Sequence, residues 1–279
     1  MTAAGPCAAV RSGAPEREAL MFACRSLETA PAFPDEGFPS ACEGVGSLSS
    51  LRLETAPTPA NLVGLARLAL RRDREGEIVP FSLEVDRGKK GMVFPRTVVR
   101  RLKARAGLAR GCLEFAFEFV SLSRRDTAPA LEAPTAGAFA FAGSRAFVDG
   151  LPVEVKEFSY SLNNNLFVGD GGRPDDPPLL TAGRQALVGY LCIDAERGDL
   201  PDSHEHNVRI ELASGEALAV LSADVMFVWH RRIETSLAGA LEVIYFEGAS
   251  GGIESGLTVT LEDRKAQEPL RRDATTRRL

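Results

Sequence analysis

The chain is short of the residues that most active-site chemistry uses. It has three histidines, one tryptophan and three tyrosines among 279 residues. So few large aromatics argue against a carbohydrate-binding sandwich, which presents several on its surface. The five cysteines (Cys7, Cys24, Cys42, Cys112 and Cys192) are odd in number and none stand at C-x-x-C spacing. That excludes a full disulfide framework and a zinc ribbon, and they read as reduced thiols of a protein assembled in a cytoplasm. No run is long and apolar enough to span a membrane. Met1 to Val10 has neither the basic start nor the apolar stretch of a secretory leader. Lysine is scarce, five of 33 basic residues, which reflects the coding genome rather than chemistry.

What is present is a mildly acidic chain, formal net charge -5, with 44% hydrophobic residues. That is apolar material for a sizeable core, without the global positive charge of a nucleic-acid binder. Residues 1–17 are rich in Ala, Gly, Pro and Ser and read as a flexible arm; 264–279 carries Arg264, Lys265, Arg271, Arg272, Arg277 and Arg278 and reads as a basic tail.

Between these ends, period-two alternation dominates. Val79, Phe81, Leu83 and Val85 form one such run and Leu113, Phe115, Phe117 and Phe119 another. Val208, Ile210 and Leu212 follow, then Val225, Phe227 and Trp229, Leu241, Val243 and Tyr245, and Leu257, Val259 and Leu261. Each run predicts a strand with one face in a core. Asp149-Gly150 between apolar runs predicts a type I′ hairpin. A change of parity between Val155 and Phe158 predicts a bulge near Lys156-Glu157, or two short strands with a kink. One helix is expected, capped by Thr58 with Pro59 at its first position. Leu62, Leu65, Ala66 and Ala69 make its buried stripe, and Arg71 and Arg72 its C-terminal cations.

The chain also carries an internal repeat. Phe81–Gly88 matches Val208–Gly215, and Leu108–Phe115 matches Leu237–Val243, which pairs Phe115 and Phe117 with Val243 and Tyr245. Met21–Leu27 matches Glu157–Leu162 more weakly. The expectation is two β halves, 18–130 and 131–263, meeting near Asp126 to Thr135.

No catalytic residue, cofactor-binding residue or metal ligand is assigned. His204-Glu205-His206 with Asp202 has metal-ligand residue types, but a polar turn into a strand explains it as well. Asp170-Gly171-Gly172 and Asp175-Asp176 lie in a Gly/Pro/Asp loop, 163–183, read as a subunit or ring contact. Gly248–Gly252 lacks the Lys-Ser/Thr of a phosphate loop. Arg101, Lys103 and Arg105 share a strand face read as interface rather than DNA contact. Cys112 and Cys192 are expected in the core, and Trp229 in core or interface.

Val155–Leu166 with its Asn163-Asn164-Asn165 turn, then Gly183-Arg184-Gln185 through Gly189 to Asp194, resembles the tail tube proteins of long-tailed bacteriophages. The preceding Ala140–Leu151 resembles the hairpin leading into that segment. The resemblance is best over Ala138 to Phe246. It implies a mainly β, tail-tube-type sandwich or barrel, internally duplicated, with a flanking helix. It also implies a structural virion protein of the tail, made in the bacterial cytoplasm, whose stacked rings form a conduit for DNA ejection. Its partners would be other copies of itself, as a pseudo-sixfold homotrimer or a homohexamer, and the terminator, tape measure and distal tail proteins. DNA would pass without specific binding, and no membrane, cofactor or enzymatic activity is implied. A tail terminator, a capsid decoration protein or a ligand-binding β-sandwich are the alternatives.

Overall fold

A computed structural model describes residues 7–11, 20–31, 49–70, 72, 78–87, 90–127, 131, 137–169, 179–194, 205–236, 239–248 and 256–263. The chain is mainly β. The first half contains β1 (Cys7–Arg11), β2 (Leu20–Ala23), β3 (Ser26–Pro31), β4 (Ser49–Thr55), α1 (Leu62–Leu70), β5 (Phe81–Asp86), β6 (Gly91–Gly107), β7 (Glu114–Ser121) and β8 (Arg125–Thr127). The second contains β9 (Ala140–Val148), β10 (Leu151–Val153), β11 (Val155–Asn163), β12 (Leu166–Gly169), β13 (Leu179–Ala182), β14 (Ala186–Asp194), β15 (Glu205–Ser214), β16 (Ala217–Ser236), β17 (Gly239–Gly248) and β18 (Leu257–Asp263).

All the described pairings are antiparallel, and all strands but β12 and β13 join one sheet of 16 strands. Its backbone is a row in the order β3-β4-β7-β6-β11-β14-β17-β16. The long strands β6 and β16 run out of this row into flanking sheets, β2-β1-β5-β6-β8 and β10-β9-β15-β16-β18. One core joins the layers. Leu53, Phe117, Phe158, Leu191 and Ile244 from the row meet Ala8, Leu83, Val208 and Ile210 from the flanking sheets.

The two halves repeat one pairing scheme. The row is β3-β4-β7-β6 followed by β11-β14-β17-β16, and the flanking sheets match strand for strand. The bulges match too. In β5–β6, Phe81 faces Thr97 and Leu83 faces Phe94, so Ser82 opposes two residues. In β15–β16, His206 faces Met226 and Val208 faces Ala223, so Asn207 opposes two residues. A second bulge follows in each long strand, between Val99 and Arg101 and between Val228 and His230.

Aligning bulges and core-facing residues equates Leu83 with Val208, Phe117 with Ile244, Phe119 with Phe246 and Leu27 with Phe158. This corrects the register read from sequence. Val243 and Tyr245, paired there with Phe115 and Phe117, lie on the opposite face from the core-facing Ile244 and Phe246. A slip of one residue exchanges the faces of a strand.

The helix forms as expected on its buried side: Leu62, Leu65, Ala66 and Ala69 are all buried. Its start is held differently. The Thr58 amide donates to Asn61 Oδ1 (2.8 Å), the Leu62 amide donates to the Thr58 carbonyl (2.9 Å), and the Thr58 hydroxyl has no partner. The Asp149-Gly150 turn has φ of 52° and 78°, as a type I′ hairpin requires, and β11 is bulged between Val155 and Glu157.

Two further expectations fail. Part of the supposed arm, Cys7–Arg11, is a strand between β2 and β5, with Cys7 through Val10 buried. Small side chains there mark a crowded interior rather than a loose chain. The supposed loop 163–183 opens and closes on the β12–β13 hairpin, whose Leu166, Leu180 and Ala182 pack on Ile78, Val98 and Val120. The tail from 264 onward lies outside the described residues.

Candidate assembly site

The residues that suggested metal binding do not come together. Asp202 and His204 lie outside the described residues. Glu205 is exposed on β15, whereas the His206 ring is fully buried. His206 Nδ1 lies 2.7 Å from Asp149 Oδ2, and its Nε2 has no partner. Asp149 also accepts the Asn207 amide at 2.8 Å. Partial burial pushes the Asp149 carboxyl up, but the Asn207 amide and the His206 ring outweigh it and hold it below its usual range. This is a brace between the β9–β10 turn and β15. Among the described residues no group of three His, Cys, Asp or Glu could hold a metal. Asp170–Gly172, Asp175-Asp176 and most of Gly248–Gly252 lie outside the described residues.

The Asn-rich turn is a structural knot. Asn164, fully buried, donates through Nδ2 to the carbonyls of Val99 (2.8 Å) and Ala69 (3.2 Å), tying β11 to the β6 bulge and to the end of α1. Its Oδ1 accepts from Gln185 (2.8 Å) and Arg72 (3.3 Å). Asn165 Nδ2 donates to the Arg184 carbonyl, and the Gly183 amide to the Asn165 carbonyl. The two glycines of this segment are set by close approach. A Cβ on Gly183 would lie 2.9 Å from the Asn165 carbonyl oxygen, and one on Gly189 the same distance from that of Ser159.

The row has a second face, opposite the core. In its first half this face is charged and internally paired. Arg101, Lys103 and Arg105 share it, as expected. Arg105 reaches Glu54 (2.7 Å) and Glu114 (3.3 Å), and Arg101 stands opposite Glu118 across the β6–β7 ladder. Burial, then the neighbouring Arg105 and Arg110, hold the Lys103 ammonium below its ordinary range, against an upward pull from Glu157. In its second half the face is aromatic and polar, with Tyr190, Tyr245, Phe227 and His230. Tyr190 donates to Glu157 at 2.6 Å, and Trp229 lies tilted against Tyr245 with ring centroids 5.5 Å apart. Cys192 lies on this face, half-buried, and Cys112 is half-buried beside Arg25; neither is the core residue expected.

Among the described residues the row ends in two open edges. Among the described residues β3 pairs only with β4. At the far end the last described β15–β16 pair is Glu205–Phe227, so among the described residues the rest of β16 has only β17 beside it. This end exposes large apolar side chains: Trp229 is 62% exposed and Ile233 67%. The alternation of Phe227 and Trp229 predicts a core-facing run, with Trp229 in core or interface. The structure turns Met226 and Val228 inward instead and leaves Phe227 and Trp229 on the outside. An unpaired, apolar strand edge on a folded protein is a template for another strand.

Comparison of the sequence with protein-family models and with curated proteins finds no match.

Proposed function

We propose that the chain is a tail tube protein, a structural subunit whose rings stack into the hollow tail of a long-tailed bacteriophage. The observation that carries this reading is the eight-strand row. It has a buried face toward the core, a charged, polar and aromatic face away from it, and, among the described residues, an open edge at each end. Such an element is completed by other copies of itself: edge-to-edge joining satisfies both open ladders and removes the edges altogether. The polar faces then line a bore. The repeated pairing scheme supports a duplicated subunit, in which one chain supplies two tube-type units. The resemblance of Val155–Leu166 and Gly183–Asp194 to tail tube proteins supports the same reading, since those segments build the Asn164 knot at the centre of the row.

The reading is tested by negative-stain electron microscopy of the purified protein over a range of concentrations. Stacked rings or tubes with a central bore are expected. Isolated rings that never stack would favour a terminator-like role. A protein that stays monomeric throughout would overturn it.

A further inference from the structure

We propose that the groove on the outer face of β9 and β15 is the docking site of this chain's own C-terminal segment, 264–279, with Leu270 seated as Leu131 is in the first half. The docking is independent of the tail tube reading.

The groove measures about 750 Å³, and among the described residues its walls include Arg145, Phe147, Pro152, Val153, Arg209 and Glu211. It sets a buried carboxylate, Glu211 at 3% exposure, beside an apolar flank of Phe147, Pro152 and Val153. Such a lining suits an extended chain that offers a main-chain N–H to the carboxylate and an aliphatic side chain to the flank.

The first half has the same face, and there the chain itself lies over it. Equating Leu83 with Val208 equates Glu84 with Arg209 and Asp86 with Glu211. Their partners on the next strand then correspond, Ala9 with Phe147 and Cys7 with Arg145. In the first half the Leu131 amide donates to Asp86 Oδ2 (3.3 Å), and the Leu131 carbonyl accepts from the Cys7 thiol (3.4 Å). Cys7, Ala9 and Asp86 are all buried there, whereas Arg145 is exposed and Phe147 half-buried.

Chain order supplies the occupant. Leu131 follows β8, and β18 is the counterpart of β8. Thr127 stands level with Asp86 across Gly91, and Thr260 stands level with Glu211 across Val220. Leu131 comes four residues after Thr127. β18 runs three residues past Thr260, to Asp263 opposite Ala217, so a returning chain uses three residues out and three back. The counterpart of Leu131 therefore falls ten residues after Thr260, at Leu270. Leu270 follows Pro269 and is the only Leu, Ile, Val, Met or aromatic residue between Arg264 and Arg278. The reach is sufficient. Asp263 stands two strand spacings and three residues from Glu211, roughly 14 Å. The seven residue steps from Asp263 to Leu270 span up to about 23 Å. The end of β18 already meets the groove, since Glu262 Oε2 accepts from Arg209 at 3.3 Å.

The test is Arg145→Cys with Leu270→Cys in the full chain, oxidised mildly at low protein concentration. A single-chain product with a disulfide between positions 145 and 270, located by peptide mass, is expected. Arg145→Cys with Thr276→Cys, six residues further along, should link at least tenfold less. Arg145 is exposed, so the pair tests docking rather than folding. Amide exchange gives a second reading on the wild type. Peptides spanning 268–272 should exchange at least tenfold more slowly than 273–279, and Leu270→Asp should remove the difference. A link between 145 and 270 found only between two chains would overturn docking within the chain and assign the groove to a neighbouring copy's segment. Equal linking at 270 and 276, or exchange of 268–272 at the rate of a free peptide, would overturn the docking altogether.

Discussion

At the residue scale the molecule depends on a few buried polar groups with complete partners. Asn164 satisfies the Val99 carbonyl at the β6 bulge and shares the Ala69 carbonyl at the helix end with Gln185 Nε2. Asn164→Ala would strand the Val99 carbonyl and leave the Ala69 carbonyl to Gln185 Nε2 alone (3.2 Å), and is expected to cost about 2 kcal/mol in urea unfolding. An unchanged midpoint would refute the knot. Asp149 adds a pH dependence. Its folded pKa is depressed, so its contribution is present above the unfolded value of about 3.9 and is lost as pH falls through the folded value. Asparagine tolerates the φ of 52° at this position. Asp149→Asn should therefore keep the turn and lose only the charge. The stability gap between wild type and variant should be full at neutral pH, begin to shrink below about pH 4 and close once the pH has fallen through the depressed folded value. A gap that persists unchanged at pH 3 would show that charge is not what Asp149 contributes.

At the element scale, the strands were legible because alternation is imposed by burial on one face. Val208, Ile210 and Leu212 were read on the correct side, and so were Phe115, Phe117 and Phe119. The reading failed where a second surface is also apolar. Phe227, Trp229 and Tyr245 alternate as regularly as any core face, yet they lie on the outside of the row, and one sequence cannot separate a core face from an apolar outer face. It failed again at Cys7–Arg11, where Ala8 and Ala9 carry too little side chain to signal a strand. The helix was legible by its stripe, whereas its cap depends on Asn61, a polar residue one position before the first helical turn. The Asn-rich turn and Gly183 were noticed only through a resemblance; their reason, contact with the backbones of neighbouring strands, is invisible in one dimension. That reason makes Gly189 testable. Its added Cβ would meet the Ser159 carbonyl at 2.9 Å and push β14 from β11. Gly189→Ala should lower stability by about 2 kcal/mol, read as a fall in the thermal midpoint, and an unaffected midpoint would mean that β14 shifts at no cost.

At the scale of the whole molecule, the polar face of the row decides how a bore would treat DNA. A wall of free arginines would bind phosphate, since each neutralised phosphate adds about -0.9 to the slope of log affinity against log salt. The cations of this face are instead set among carboxylates. Arg105 contacts Glu54 and Glu114, Arg232 lies 3.4 Å from Glu234, and Arg52 stands between Glu28 and Glu118 on the neighbouring strands. The second half contributes rings and neutral polar groups, Tyr190, Tyr245, Ser159, Ser161 and Asn163, with Glu157 and Glu247 beside them. A bore lined this way is near neutral and exchanges its internal ion pairs for phosphate at a loss. Assembled tubes should therefore retain no duplex DNA in a sedimentation assay even at low salt. The carboxylates are what prevent it. Glu54→Gln with Glu118→Gln takes one carboxylate from beside each of Arg52, Arg101 and Arg105 without removing bulk, leaving Glu28 and Glu114 in place, and tubes of this variant should retain DNA that is released as salt rises. Retention by wild-type tubes that titrates away with salt, or a double variant as inert as the wild type, would show that the paired face does not line the path of the DNA.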